Sequence, residues 1–226
     1  MQTPSSTVLY VDYFSPPSLS VVALVLFNKI PLQVRDIGTI KKDPNLLQDY
    51  KKVNPQGALP FLDDNGFTLS ESHAILRYLC TTKNVAKNWY PEDPKKRAQI
   101  DAYLEWHNTN IRKCSLYFQT YYAHVMPKAY FTWDAAEEKR NVIKALNTLE
   151  NYNLKNGKFI ASNDEMTIAD LSAISEIVRI KATKIDFEVI PRVKTWMEEC
   201  MKCPEIQKAN KAPLVLVEKA TSRLHL

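Results

Sequence analysis

Glycine is scarce in this chain of 226 residues, which contains only Gly38, Gly57, Gly66 and Gly157. A phosphate-binding loop or a dinucleotide-binding turn needs several glycines within one turn, because the backbone must approach the phosphates closely. No two glycines of this chain share such a turn. The sequence therefore excludes these nucleotide-binding classes.

Histidine and cysteine are also sparse, with four of each. The histidines show no spacing typical of metal ligands. Cys200 and Cys203 form a Cys-x-x-Cys pair, but the pair lacks a second pair or a nearby histidine and falls within a predicted helix. We therefore predict no metal site.

Long apolar runs and concentrated charge are missing as well. The longest apolar run, Val21–Phe27, is too short to span a bilayer. The N-terminus lacks the basic and apolar regions of a secretory signal. The net charge is +5, but the basic residues are dispersed among acidic ones, which is typical of solvated faces. We expect a cytoplasmic protein with reduced thiols that binds neither nucleic acid nor a membrane.

The strand and helix signals divide the chain into two parts. Residues 1–84 show four strand patterns and three helical ones in the order βαβ-α-ββα, which predicts a small α/β, thioredoxin-like domain. Asn65-Gly66 is a strong hairpin signal between the third and fourth strands. The predicted strands cover residues 7–14, 31–37, 59–63 and 67–69. The predicted helices cover residues 19–29 and 71–82, with a short helix or irregular turn at 44–50.

Strand signals stop after residue 84. Residues 85–94, which include Trp89-Tyr90-Pro91, read as a linker. Residues 95–226 then show helical periodicity and predict an all-α helical bundle. The predicted helices cover residues 95–125, 134–154, 167–184, 191–201 and 205–220.

Thr167 and Asp170 carry the sharpest local signal of the helical part. A hydroxyl followed three residues later by a carboxylate forms a capping box at a helix start. Such a cap contributes about 1 kcal/mol to stability. We interpret these two residues as structural rather than catalytic.

Pro60 stands between apolar residues at the start of a predicted strand. Proline is normally excluded from central strands, and at such a turn it is often cis. The backbone groups beside it would then be free to pair with a peptide-like ligand. Ser72 follows at the start of a predicted helix, where a carboxylate binds favourably. Together these features predict a site for a small peptide.

Ser15 lies at the end of the first predicted strand, where its hydroxyl could donate a hydrogen bond to a ligand thiolate. A free thiol has a pKa of ~8.5, so only about 3% is ionised at pH 7. A hydrogen bond to a charged group contributes roughly 1.5–3 kcal/mol, which lowers a thiol pKa by about one to two units. No general base is then needed. Two alternatives stay open: Ser15 only caps the helix that opens at Pro16, or the Tyr13 phenol performs this role.

These residues and their surroundings resemble the cytosolic glutathione transferases, most closely the theta class. The resemblance covers nearly the whole chain. It rests on six segments: Val8–Pro17, Val53–Pro60, Thr68–Leu79, Trp89–Pro91, Arg97–His107 and Thr167–Leu171.

The resemblance implies roles in glutathione binding. Ser15 would hold the thiolate, and Leu59, before a cis-Pro60, would pair its backbone with the cysteinyl residue. Glu71 and Ser72 would bind the γ-glutamyl end. The remaining implied contacts are two residues near the glycyl end, Asn45 and Ala58, and four that line the electrophile pocket, Phe14, Asn110, Cys114 and Tyr117.

Asn45 and Ala58 depart from the family pattern, which more often has His and a basic or amide side chain at these positions. The changes remove polar contacts and would weaken glutathione binding.

The resemblance implies a homodimeric detoxification enzyme. It would use glutathione as co-substrate without a metal, conjugate it to small electrophiles and, as a second reaction, reduce organic hydroperoxides. The first alternative is a non-enzymatic, transferase-like scaffold or ligand-binding module. The second is a cysteine-dependent reductase, which would need Cys where Ser15 and Ser18 stand.

Overall fold

The structure is a computed structural model that describes residues 7–122, 134–161 and 164–222. Residues 7–82 contain four strands and four helices: β1 (Thr7–Val11), α1 (Pro16–Asn28), β2 (Gln33–Asp36), α2 (Ile37–Ile40), α3 (Pro44–Val53), β3 (Phe61–Asp64), β4 (Phe67–Ser70) and α4 (Ser72–Thr82). The elements that follow in the described ranges are helical: α5 (Pro94–Thr109), α6 (Lys113–Tyr121), α7 (Ala135–Thr148), a π-helical turn (Leu149–Asn153), α8 (Ile168–Ile180), α9 (Pro191–Met201), α10 (Pro204–Ala209) and α11 (Lys211–Ser222).

The four strands form one mixed sheet in the order β2-β1-β3-β4. β1 runs parallel to β2 and antiparallel to β3, and β3 pairs with β4 through the Asn65-Gly66 turn. Tyr10, Phe61 and Ser70 lie side by side across β1, β3 and β4. The end of β1, the start of β3 and the end of β4 therefore meet at one end of the sheet.

The predicted α/β, thioredoxin-like part and the all-helical part are both confirmed, although β1 is shorter than predicted. The strand ends at Val11 rather than Phe14. Asp12 turns the chain there, because its carboxylate accepts the Phe14 N–H at 2.8 Å and its carbonyl accepts the Ser15 N–H at 2.9 Å. This local turn overrides the apolar strand pattern.

Two predicted long helices are each broken at an asparagine. The helix predicted over residues 95–125 is α5 followed by α6, and its last residues lie outside the described ranges. The Asn110 amide donates to the Trp106 carbonyl at 2.8 Å, and the Asn210 amide donates to the Ile206 carbonyl at 3.0 Å between α10 and α11. Asparagine side chains compete in this way with the helical backbone, and hydrophobic periodicity does not reveal the break.

One main hydrophobic core joins the sheet to the helices of the second half. Leu9 from β1, Leu24 from α1, Leu104 from α5 and Ile174 from α8 all belong to it and are fully buried. Helix α1 lies against α4, α8 and α10. A smaller cluster around Tyr10 and two short helices, α2 and α3, covers the other face of the sheet. Within the described ranges, no helix combines the length and apolarity needed to cross a membrane.

Helix α8 is buried along its whole length, and the predicted capping box opens it. The Thr167 hydroxyl accepts the Ala169 N–H at 3.2 Å, and the Asp170 carboxylate accepts the Thr167 N–H at 2.8 Å. The same carboxylate also accepts the Ile160 N–H and the Trp196 indole N–H, both at 2.8 Å. Burial raises the pKa of Asp170 to about 6 against the lowering effect of these hydrogen bonds, so the group is ionised at neutral pH. Asp170 thus joins α8 to α9 and to the preceding loop.

Asp170→Ala should lower the free energy of unfolding by about 3 kcal/mol or more. The substitution orphans three buried N–H donors, and each orphaned donor costs roughly 1–3 kcal/mol. Urea unfolding at neutral pH measures the loss. The matched control is Asp43→Ala, which removes an exposed cap from α3 and should cost about 1 kcal/mol. Equal losses in the two variants would show that Asp170 is only a helix cap.

Candidate functional site

Three segments meet at the end of the sheet where β1 stops. Ser15 follows β1, Leu59 and Pro60 precede β3, and Ser72 follows β4 as the first residue of α4. The register of the sheet brings these segments together, because Tyr10, Phe61 and Ser70 are neighbours. The convergence predicted from the sequence is therefore present in the structure.

The backbone of Ser15 is fixed while its hydroxyl is unengaged. Its N–H donates to the Asp12 carbonyl, and its carbonyl accepts the Ser18 and Leu19 N–H groups at 2.9 and 3.1 Å. Ser15 occupies the N-cap position of α1, yet its side chain makes no capping hydrogen bond. Within the described part of the chain, this half-buried hydroxyl has no partner. A ligand can therefore use it without breaking an existing contact.

Tyr13 lies two residues earlier, half-buried and packed against the main core. Burial and the nearby Asp36 carboxylate raise the pKa of its phenol. The phenol is therefore a neutral donor at physiological pH, and its ring is partly committed to packing. Because β1 ends at Val11, strand alternation does not decide which way Tyr13 and Ser15 point.

The Leu59–Pro60 peptide bond is cis, as the sequence predicts. The Asn54 amide supports this turn: it donates to the Ala58 carbonyl at 2.8 Å and accepts the Gly57 N–H at 3.0 Å. Leu59 lies outside the strand ladders, and its backbone groups make no hydrogen bond to the described residues. They are open to a peptide-like ligand. Asn54 belongs to the Val53–Pro60 segment, but the sequence alone does not indicate that its side chain supports the turn.

Ser72 and Glu71 form the third segment. Ser72 is 4% exposed, and its hydroxyl makes no hydrogen bond to the described residues. Glu71 occupies the N-cap position with φ +70° and does not cap the helix with its side chain. The first N–H groups of an uncapped helix attract a carboxylate. The arrangement can bind an anionic end of a ligand.

Asn45 and Ala58 lie at the margin of the site. Asn45 is exposed in the first turn of α3, where its N–H donates to Asp43. Ala58 is half-buried in the turn before Pro60. Their role near the glycyl end of a ligand stays a prediction.

The four predicted electrophile-pocket residues are not alike in their surroundings. Phe14 is 57% exposed beside Ser15. Asn110 marks the break between α5 and α6, whereas Cys114 is fully buried and Tyr117 is 2% exposed. Burial also raises the pKa of the Cys114 thiol, so this thiol is unreactive. A pocket lined by these residues stays a prediction, and the burial of Cys114 and Tyr117 favours a core role.

Sequence reasoning missed Arg179, which reaches this site from α8. Both terminal nitrogens of its guanidinium donate to the Phe14 carbonyl at 3.2 Å. The contact joins residues far apart in the chain, and an arginine within an apolar helix carries no local signal of its partner.

The sequence predicts no metal site. Cys200 and Cys203 are free thiols, and burial raises the pKa of both. Within the described ranges, no cluster of His, Cys, Asp and Glu side chains suited to a metal is found. The absence of a metal requirement stays a prediction.

Comparison with known proteins gives matches over both halves of the chain. Residues 9–87 match the family described as the glutathione S-transferase N-terminal domain, and residues 114–204 match its C-terminal domain. Glutathione S-transferase T1 of Arabidopsis thaliana is 36% identical over 208 residues, which are 86% of this chain and 82% of that protein. Glutathione S-transferase theta-2 of Rattus norvegicus is 35% identical over 193 residues, 84% of this chain and 78% of that protein.

Solved structures of glutathione transferases are also similar to this chain. The apo form of human glutathione S-transferase T1-1 superposes with a TM-score of 0.79 and 29% identity, covering 96% of this chain and 91% of that one. A human theta-class transferase in complex with the glutathione conjugate of 1-menaphthyl sulfate gives a TM-score of 0.80 at 27% identity, with 97% and 91% covered. The theta-class resemblance is thereby confirmed.

The positive φ of Glu71 gives a test that separates backbone strain from ligand binding. A non-glycine residue in a sparsely populated region costs about 1–3 kcal/mol, part of which is offset by the greater unfolded-state freedom of glycine. Glu71→Gly should therefore be more stable than Glu71→Ala by about 1 kcal/mol in urea unfolding. Both variants should bind glutathione more weakly than the parent in titration calorimetry, because both lack the carboxylate.

The matched control is Lys29, which is exposed at the end of α1 with φ +49°. Lys29→Gly and Lys29→Ala should differ in stability in the same direction but leave glutathione affinity unchanged. Equal stability of the two Glu71 variants would contradict the strain argument, and unchanged affinity would remove Glu71 from the site.

Proposed function

The chain belongs to the glutathione S-transferase family, and we propose that it conjugates glutathione to small electrophiles with Ser15 as the residue that holds the thiolate. The assignment of Ser15 depends on one observation. Its backbone N–H and carbonyl are both hydrogen-bonded, whereas its hydroxyl has no partner within the described residues. The theta-class relatives support the conjugation reaction.

The conjugation reaction needs only a hydrogen-bond donor beside the glutathione thiol. About 3% of a free thiol is ionised at pH 7, and a hydrogen bond from Ser15 worth roughly 1.5–3 kcal/mol would lower its pKa by about one to two units. A large fraction of bound glutathione would then be thiolate. Such a thiolate attacks the electrophilic carbon directly, and the leaving group departs with the electron pair of the broken bond.

The other two segments would hold the rest of the tripeptide. The free backbone groups of Leu59 pair with the cysteinyl residue in the manner of an added strand. Ser72 and the start of α4 take the γ-glutamyl carboxylate, with Glu71 beside them. Asn45 and Ala58 are proposed near the glycyl end, where their side chains supply few polar contacts.

The electrophile class is proposed from one structural relative. A human theta-class transferase was solved with the glutathione conjugate of 1-menaphthyl sulfate, which supports an aromatic electrophile. The pocket would open beside the exposed Phe14. Reduction of organic hydroperoxides is proposed as a second reaction of the same thiolate.

Three further features are proposed from the family resemblance and the sequence. The protein is a homodimer in the cytoplasm. Residues 1–84 form the glutathione-binding domain, residues 85–94 the linker and residues 95–226 the helical domain. Gel filtration with light scattering tests the dimer.

Ser15→Ala should lower kcat/KM at pH 7 by about 8- to 25-fold, because a thiol pKa raised by about one to two units to ~8.5 lowers the thiolate fraction to about 3%. Glutathione should still bind, because Leu59 and Ser72 are unchanged. The deficit should shrink above pH 9, where free thiol is ionised without help. Conjugation of an aryl halide measured from pH 6 to 10 provides the profile.

Tyr13→Phe is the matched control, since it removes the neighbouring hydroxyl and keeps the ring. It should retain most activity. Loss of activity in Tyr13→Phe with retention in Ser15→Ala would reassign the donor. Tight glutathione binding by the parent protein without turnover of halides or hydroperoxides would favour the non-enzymatic alternative.

A further inference from the structure

Arg179 is a buried cation whose only described hydrogen bonds go to one backbone carbonyl. It is 4% exposed, and both terminal nitrogens donate to the Phe14 carbonyl at 3.2 Å. Its Nε is buried without a partner in the described part of the chain. The guanidinium carbon lies 5.8 Å from the centre of the Phe118 ring. This is a sparse set of partners for a buried guanidinium.

The titratable groups that influence Arg179 come from three elements. Glu176 lies one turn earlier on α8, Asp12 lies in the loop after β1, and the neutral Cys114 thiol lies on α6. Glu176 is itself buried and accepts a hydrogen bond from the Ser115 hydroxyl, while its second oxygen is unpaired within the described ranges. Burying two opposite charges near each other adds little net stability, because desolvation offsets their attraction. Stability alone is therefore a weak explanation for Arg179.

The carbonyl that Arg179 holds belongs to the residue directly before Ser15. The Phe14 N–H is already held by the Asp12 carboxylate at 2.8 Å, so Arg179 completes the fixation of that residue. The next peptide continues into Ser15, whose N–H donates to the Asp12 carbonyl. The position of the Ser15 hydroxyl thus depends on the loop after β1, and this loop is held by the contact of Arg179 on α8 with the Phe14 carbonyl.

We propose that Arg179 is a positioning residue for the transferase reaction: by holding the Phe14 carbonyl it fixes the Ser15 hydroxyl at the thiolate of glutathione. The inference rests on the proposed function of Ser15. Arg179 would connect the helical half of the chain to the reacting thiolate beside the sheet. It would act through Ser15 rather than through a contact with substrate.

The test is a double-mutant cycle of Arg179→Met and Ser15→Ala, assayed as kcat/KM from pH 6 to 10. Arg179→Met should move the acid limb of the profile upward by about one pH unit and so lower activity at pH 6 by about tenfold, since one pKa unit changes the thiolate fraction tenfold on that limb. In the Ser15→Ala background the same change should have almost no further effect. Non-additivity of this kind identifies residues that act through one another.

Two further variants keep the test decisive. Arg179→Lys retains the charge and one donor, and should shift the profile less than Arg179→Met does; it also replaces the methionine variant if that fails to fold. Arg97→Met is the matched control, because Arg97 likewise holds a carbonyl, that of Pro91, away from Ser15. It should leave the pH profile unchanged.

The outcomes separate this inference from the function on which it rests. If Ser15→Ala keeps full activity, the assignment of Ser15 as the thiolate donor fails. If Ser15→Ala loses activity but neither Arg179 variant shifts the acid limb, Arg179 is not a positioning residue. The inference would also be overturned if the activity losses of the two single variants multiplied in the double variant and were equal at every pH. Arg179 would then have only a structural role.

Discussion

The Asp170 carboxylate fixes the start of α8, and much of the remaining structure depends on that helix. Its oxygens accept N–H groups from the capping residue Thr167, from the Ile160 loop and from Trp196 on α9. The helix so anchored packs along α1. Its far end brings Arg179 to the Phe14 carbonyl. One buried anion therefore links the helical bundle to the loop that carries Ser15.

The sheet supplies the other half of the site by its register. Antiparallel pairing places the end of β1 beside the start of β3, and the start of β3 beside the end of β4. Three polar features are left without partners among the described residues: the Ser15 hydroxyl, the Leu59 backbone and the Ser72 hydroxyl. Such pre-organised groups bind a ligand without first breaking internal hydrogen bonds. The ligand that we propose for this arrangement is a tripeptide with a thiol near its centre and a carboxylate at one end.

Local chemistry made part of this structure predictable from the sequence. The Asn65-Gly66 hairpin, the cis bond before Pro60 and the Thr167–Asp170 capping box each depend on a few neighbouring residues. The early end of β1 and the break at Asn110 also depend on local side-chain hydrogen bonds. Those bonds compete with apolar periodicity, which by itself predicts a longer strand and a longer helix.

Features that depend on tertiary contacts could not be predicted from the sequence. The contact between Arg179 and Phe14 joins positions 165 residues apart, and nothing near Arg179 indicates its partner. Local sequence left two roles open for Ser15, and the structure shows that its side chain does not cap α1. The central claim is that this hydroxyl meets the glutathione sulfur. A crystal structure with bound glutathione tests it directly: the account predicts the sulfur within hydrogen-bonding distance of Ser15 Oγ, with the Arg179 contact to Phe14 intact. A sulfur bound instead by the Tyr13 hydroxyl, or turned away from Ser15, would contradict it.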